Sequence, residues 1–176
     1  MKVAATILGA LFVAMPAAAQ DLPNLDLNPG DSVTVHFDDG GRVGQPERGT
    51  ANWSPLDLAA AHQLSGITPP DAPVNYTIPV DSPDGVKAEV IPGDVVRFRM
   101  YSIAGRHSML VIENGQQRAL VYRARITARG RTAPTDVCVV MPARRGYEHW
   151  PYVIDRIELS DFRFVPWVEG RAPTCE

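Results

Sequence analysis

The sequence predicts an all-β protein: a single antiparallel β-sandwich of jelly-roll or immunoglobulin-like type, with one short helix in a long N-terminal loop. Stretches of alternating apolar and polar residues recur along the chain, separated by turns about every eight to twelve residues. The chain has 176 residues and is 45% hydrophobic, which suits one domain with one core. Short strands in regular succession are typical of two packed sheets.

The first residues predict a secretory signal peptide spanning residues 1–19. Lys2 precedes the apolar stretch Val3–Met15, Pro16 interrupts it, and the small residues Ala17–Ala19 form a cleavage site. A membrane anchor is the alternative, but this stretch is short for the roughly 30 Å of a hydrocarbon core. We therefore expect residues 20–176 to form an exported domain, periplasmic or secreted, that has no membrane span after cleavage.

The first strand and the helix carry the clearest local signals. Val33–Phe37 alternates, so its three apolar residues share one face. Ser54 and Pro55 suit the N-cap and first position of a helix that continues through Leu58–Leu64. Gly66 is a typical helix terminator.

Several further strands follow from alternation and turn residues. The pair Asn114-Gly115 predicts a tight hairpin between two of them. In the last strand the apolar positions change parity, which predicts a β-bulge near Ser160-Asp161. The predicted strands are Val74–Val80, Val86–Ile91, Val96–Tyr101, His107–Glu113, Gln117–Thr127, Thr135–Met141 and Val153–Val165.

The net charge and the cysteine content indicate which partners and which cellular compartment to expect. The formal net charge is -3, which gives no reason to expect nucleic acid as a partner. Cys138 and Cys175 are the only cysteines, and an oxidising compartment favours a disulfide between them. A reactive Cys138 is the alternative, but its apolar neighbours would solvate a thiolate poorly.

No sequence motif predicts a catalytic centre, a cofactor or a metal site. The chain lacks a nucleophile elbow, a phosphate loop and a dinucleotide-binding glycine pattern. His36 and Asp38 share a strand face and would make half a metal site, but the other histidines are scattered. The Cys138, Met141 and His149 order does not match a blue-copper protein.

Two groups of residues are candidate ligand-binding sites. Arg97 and Arg99 share one strand face, and Arg123 and Arg125 share another, which suits recognition of phosphate or carboxylate groups. The alternative is pairing with acids of the N-terminal half: residues 21–96 hold 12 acidic and 3 basic groups, whereas residues 97–176 hold 8 and 13.

The second candidate is a predicted loop over residues 144–152. It concentrates aromatic and charged residues, including Tyr147, Glu148, His149 and Trp150. Loops of this composition often recognise partners. The same residues could equally plug one end of the sandwich.

These observations favour a non-enzymatic binding or structural module of the cell envelope. Its expected partner is an anionic glycan, a lipid head group or another protein. One alternative is a secreted hydrolase of envelope polymers that uses paired carboxylates or a histidine with a carboxylate. Another is a proteinaceous inhibitor or a secretion accessory.

Overall fold

The computed structural model describes residues 22–69, 90–168, 170, 171 and 173, which form ten strands and one helix. The strands are β1 (Leu25–Leu27), β2 (Asp31–His36), β3 (Glu47–Thr50), β4 (Val95–Ile103), β5 (His107–Asn114), β6 (Ala119–Ala128), β7 (Arg131–Thr135), β8 (Val139–Val140), β9 (Arg144–Trp150) and β10 (Arg156–Val165). The helix α1 is Pro55–Ser65. The predicted signal peptide, the predicted strand Val74–Val80, most of Val86–Ile91, and Cys175 lie outside the described residues. The Cys138–Cys175 disulfide therefore stays a prediction.

Two antiparallel sheets pack face to face, which confirms the predicted all-β sandwich. The first sheet has the order β1-β10-β6-β7, with β8 also paired to β6. The second has the order β3-β2-β4-β5-β9. The alternating apolar residues meet between the sheets as predicted. The core includes Val33, Val35, Phe37, Val96, Phe98, Met100, Leu110, Ile112, Leu120, Tyr122, Ile126, Ile157, Leu159 and Phe162, and Phe164 packs against it.

Helix α1 begins and ends where the sequence predicts. The Ser54 hydroxyl accepts a hydrogen bond from the Asp57 amide at 3.1 Å, and Gly66 ends the helix with a φ of 70°. Ala61 of the helix packs on Tyr101 and Met109, which point away from the central core. The helix therefore covers the outer face of the second sheet. In the described part of the chain, no helix has the length and apolarity needed to cross a membrane.

The hairpin predicted at Asn114-Gly115 is wrong, because β5 and β6 belong to different sheets. The buried side-chain amide of Asn114 donates through Nδ2 to the carbonyl oxygens of Arg118 at 2.8 Å and Met141 at 3.1 Å. The Gly115 amide donates to the Val95 carbonyl at 2.8 Å, and a Cβ at Gly115 would lie 1.8 Å from the Pro92 carbonyl oxygen. The pair therefore makes a tight corner between the sheets, where only glycine fits.

A tight hairpin joins β6 to β7 instead. Arg129 and Gly130 both have positive φ, 52° and 71°, and Ala128 pairs with Arg131. Two consecutive left-handed residues are typical of a type I′ turn, which usually selects asparagine or glycine. Arg129 is thus an unusual residue at this position.

The predicted strand Thr135–Met141 is interrupted. Thr135 pairs with Ala124 at the end of β7, and Val139 pairs with Val121 at the start of β8. One extra residue separates the two pairings, so the edge breaks between them. The bulge in β10 is confirmed, since its register shifts after Ser160.

The prediction of a loop over residues 144–152 is wrong. Residues 144–150 form β9, the edge strand of the second sheet, paired antiparallel with β5 from Asn114↔Arg144 to Ser108↔Trp150. Arg145, Tyr147 and His149 share the outer face, and the residues between them face the other sheet. The charged and aromatic residues of this segment thus alternate between the two faces of the sheet, as the residues of any β-strand do.

Candidate functional site

Five charged side chains meet beneath helix α1 in a largely buried ion cluster. Glu113, whose side chain is 3% exposed, accepts from Arg97 Nη1 at 2.9 Å and Arg99 Nη2 at 2.7 Å. It also accepts from Arg145 Nε at 2.8 Å. The fifth member is Asp57 of the helix, whose carboxylate lies 3.2 Å from Arg99 Nη2. Three guanidinium groups therefore face two carboxylates in a region with little water.

Two tyrosines complete the surroundings of Asp57. The Tyr101 hydroxyl lies 2.8 Å from the Asn52 carbonyl oxygen and 3.1 Å from Asp57 Oδ2, so the two acceptors share its one proton. The Tyr147 hydroxyl donates to Asp57 Oδ1 at 3.4 Å. Burial, and after it the charge of Asp57, raises the pKa of both phenols. Both therefore stay protonated donors. The Trp53 ring stacks on Tyr101 with centroids 4.0 Å apart. The cluster thus fastens the helix to the sheet.

The structure places the four predicted arginines on opposite sides of the sandwich. Arg97 and Arg99 belong to the covered ion cluster. Arg123 and Arg125 lie on the open outer face of the first sheet, with side chains 63% and 57% exposed. They pair loosely with Asp161 at 3.5 Å and Glu158 at 4.0 Å. The four arginines pair with Asp57, Glu113, Glu158 and Asp161. Only Asp57 belongs to the N-terminal half, so most of this pairing is within the C-terminal half.

Glu148 faces the space between the sheets at the open edge of the sandwich. Burial, with a smaller contribution from Asp136, raises its pKa to about 7. Nearby, the Tyr122 hydroxyl is buried and has no hydrogen-bond partner among the described residues. Asp136 and Arg123 line a groove of about 330 Å³ at the break between β7 and β8. Trp150 is buried beside this edge.

The segment between β9 and β10 crosses from one sheet to the other at one end of the sandwich. The Ile154 amide donates to the Ser108 hydroxyl of β5 at 2.9 Å. The Asp155 amide donates to the Thr127 carbonyl of β6 at 2.8 Å. The β4–β5 turn and the β6–β7 hairpin are therefore held on either side of this crossing segment.

This arrangement places three arginines and two apolar residues at the same end of the sandwich. We call these residues the arginine end: Arg106, Arg129, Arg131, Tyr152 and Val153. All five residues are exposed. No acid of the described part of the chain lies within ion-pair distance of the three guanidinium groups. Asp155 also lies at this end and accepts from the Arg129 backbone amide at 3.1 Å. The arginine end therefore carries three exposed positive charges that no described acid neutralises through an ion pair.

Two histidines meet on the outer face of the second sheet. His107 Nδ1 lies 2.9 Å from His149 Nε2, and their ring centroids are 5.1 Å apart. Burial, and then the proximity of His107, lowers the pKa of His149. The residues are 42 positions apart, so only the β5–β9 pairing reveals them together.

His36 and Asp38 occupy other contacts. Asp38 accepts from the backbone amides of Gly40 and Arg42, each at 2.9 Å, and from Arg42 Nε at 2.6 Å. The Arg42 hydrogen bonds lower the pKa of Asp38. His36 lies 3.8 Å from Glu47 and 4.0 Å from Asp94. Within the described ranges, no group of three or more His, Cys, Asp or Glu residues has an arrangement that could hold a metal ion.

Comparison with protein-family models, with curated proteins and with solved structures gives no significant match. The fold and site define the class only as an all-β sandwich with a buried ion cluster and a basic end. Sequence reasoning missed the histidine pair, and it assigned the candidate site to arginines on strand faces instead of those at the turns. The residues of the arginine end and of the histidine pair come from separate turns and strands, and only the pairing of strands brings them together.

Proposed function

We propose that this protein is an exported, non-enzymatic binding module that uses the arginine end to hold an anionic envelope component. The observation that carries the proposal is the contrast between its arginines. Arg97 and Arg99, the arginines first expected to bind a ligand, have carboxylate partners. Arg106, Arg129 and Arg131 lack such partners among the described residues.

The chemistry of the arginine end suits phosphate or carboxylate groups. A guanidinium presents several donors in a fixed plane and matches such anions with two parallel hydrogen bonds. Because these side chains are exposed and not ion-paired with described acids, binding an anion breaks no ion pair made by the described residues. The exposed Tyr152 and Val153 add apolar surface between the charges. An anionic polysaccharide and a lipid head group both offer this combination.

The turn geometry supports the same assignment. Arg129 holds a left-handed conformation, which costs an ordinary side chain about 1–2 kcal/mol. Glycine or asparagine would avoid most of that cost. Strain of this kind persists only where the surrounding structure imposes it, and it concentrates at functional sites. Arg129 therefore fits a residue kept for its charge at the tip of a hairpin.

The proposal is tested by measuring binding of the exported protein to two anionic probes. The probes are phosphatidylglycerol vesicles and an anionic polysaccharide, with phosphatidylcholine vesicles as the neutral reference. The test variant is R106Q/R129N/R131Q, in which asparagine tolerates the left-handed turn. Its matched control is R123Q/R125Q/R156Q, which removes three charges from the outer face of the first sheet.

We expect the wild-type protein to bind at least one anionic probe and to lose affinity as salt increases. The R106Q/R129N/R131Q variant should bind at least tenfold more weakly, and the control should bind within about twofold of wild type. Preference for the vesicles identifies a lipid head group, and preference for the polysaccharide identifies a glycan. Equal loss in the two triple variants, or no binding to either probe, contradicts the proposal.

A secreted hydrolase is the second candidate, and Glu148 is the observation that favours it. Its pKa near 7 suits a general acid, and Asp136 supplies a second carboxylate. The test is release of reducing ends from anionic envelope polysaccharides near neutral pH. Activity that is lost in E148Q, and retained in the E158Q control, would support hydrolysis. Absence of release by the wild-type protein would oppose it.

A further inference from the structure

The histidine pair lies in a setting that suits a metal ion. In antiparallel β5 and β9, Met109 is directly opposite His149, and His107 is two residues before Met109 on the same face. Met109 belongs to the apolar cluster beneath helix α1 and is fully buried. His107 and His149 are half-buried, so the pair has an apolar floor and an open side.

The spacing of the two nitrogen atoms matches joint coordination. Imidazole nitrogens lie about 2.0–2.1 Å from a bound divalent transition metal ion. Two such bonds place the nitrogens about 2.9 Å apart at a right angle and about 3.3 Å apart at a tetrahedral angle. His107 Nδ1 and His149 Nε2 are 2.9 Å apart. An ion can therefore replace their shared proton once both rings turn so that the lone pairs of the two nitrogen atoms converge on it.

We propose that His107 and His149 form a copper site, with Met109 as its third protein ligand. Imidazole suits several transition metals, but a thioether is a soft donor that favours copper. Copper also binds more tightly than zinc to nitrogen ligands in the general order of divalent affinities. No further His, Cys, Asp or Glu of the described residues joins the pair in a cluster. Water would fill the remaining positions.

The site differs from the one the sequence excluded. That comparison concerned Cys138, Met141 and His149, whereas the present residues contain no cysteine. The copper proposal does not rest on the proposed anion binding, because none of its three ligands belongs to the arginine end.

The test is calorimetric titration of the chelator-treated, exported protein with Cu²⁺, Zn²⁺ and Mg²⁺ salts. We expect one equivalent of Cu²⁺ to bind, more tightly than Zn²⁺, with no binding of Mg²⁺. The variants H107Q and H149Q should each weaken Cu²⁺ binding at least tenfold. The other two histidines provide matched controls, and H36Q and H62Q should bind within about twofold of wild type.

A measurement on the wild-type protein covers the case in which a variant fails to fold. The electron paramagnetic resonance spectrum of the Cu²⁺ complex should show coupling to two imidazole nitrogens. M109L conserves volume, and it should weaken Cu⁺ binding at least fivefold in an anaerobic competition. Unchanged Cu⁺ binding would remove Met109 from the site. Wild-type-like affinity in both histidine variants, or loss of binding in H36Q or H62Q instead, overturns the proposal.

Discussion

Removing the charge of Glu113 tests the energetic role of the buried ion cluster. In E113Q the side-chain volume is kept, but Arg97, Arg99 and Arg145 are left with Asp57 as their only acid in the cluster. Breaking a buried ion pair by removing one partner costs about 3–5 kcal/mol, because the remaining charge is buried without compensation. For a chain of this size that corresponds to a fall in Tm of roughly 6–20 °C. Thermal unfolding followed by circular dichroism measures it.

The control is D26N, which removes one exposed ion pair on the other side of the molecule. Asp26 and Arg48 are both 54% exposed, and an exposed pair contributes about 0–1 kcal/mol. A clear difference between E113Q and D26N is therefore expected. If E113Q loses less than about 1 kcal/mol, water screens the cluster and it does not fasten the helix to the sheet.

Burial raises the folded-state pKa of Glu148 to about 7, above its usual 4.5, so the protonated side chain stabilises the fold fully below pH 4.5 and this stabilisation is lost as pH rises through 7. E148Q should therefore lose less stability than the wild-type protein as pH rises. The whole pKa shift corresponds to about 3 kcal/mol, and partial solvation of the side chain reduces its effect on stability to about 1–2 kcal/mol. Urea unfolding between pH 4 and 8, in the presence of a chelator, measures the effect. The same pH profile in E148Q and in the wild-type protein would contradict the prediction. G115A should lower stability by more than about 3 kcal/mol, because its Cβ meets the Pro92 carbonyl oxygen; G49A, with nothing near its Cβ, is the control, and equal effects oppose the corner assignment. R129G should raise stability by about 0.5–1 kcal/mol in chemical unfolding while weakening anion binding, and a loss of stability would show that the turn is not strained.

The sheet faces could be predicted because alternation is a local property. Val33, Val35 and the other alternating apolar residues had to point inward for any sandwich to form. Partner choice between strands is not local. Asn114-Gly115 carries a hairpin signal, but the two edges of β5 are paired with β4 and β9, which leaves no edge for β6. Tertiary pairing therefore overrides the turn preference at this point.

The candidate site was less predictable for a related reason. Whether an arginine is available depends on what packs over it. From the sequence, Arg97 and Arg99 are expected to be exposed on a strand face. In the structure helix α1 covers that face and places Asp57 beside Arg99. The histidine pair likewise depends on a register between strands separated by 42 positions. Composition indicates which residues can bind, but it does not show which ones the fold leaves available.

The most direct test of anion binding is a nuclear magnetic resonance titration of the isotope-labelled protein with an anionic oligosaccharide and with a phosphatidylglycerol-bearing micelle. The arginine end predicts that backbone shifts concentrate in residues 104–107, 128–132 and 151–155, and that they fade as salt is added. Shifts centred on Arg123 and Arg125, or no shifts with either probe, would contradict the account.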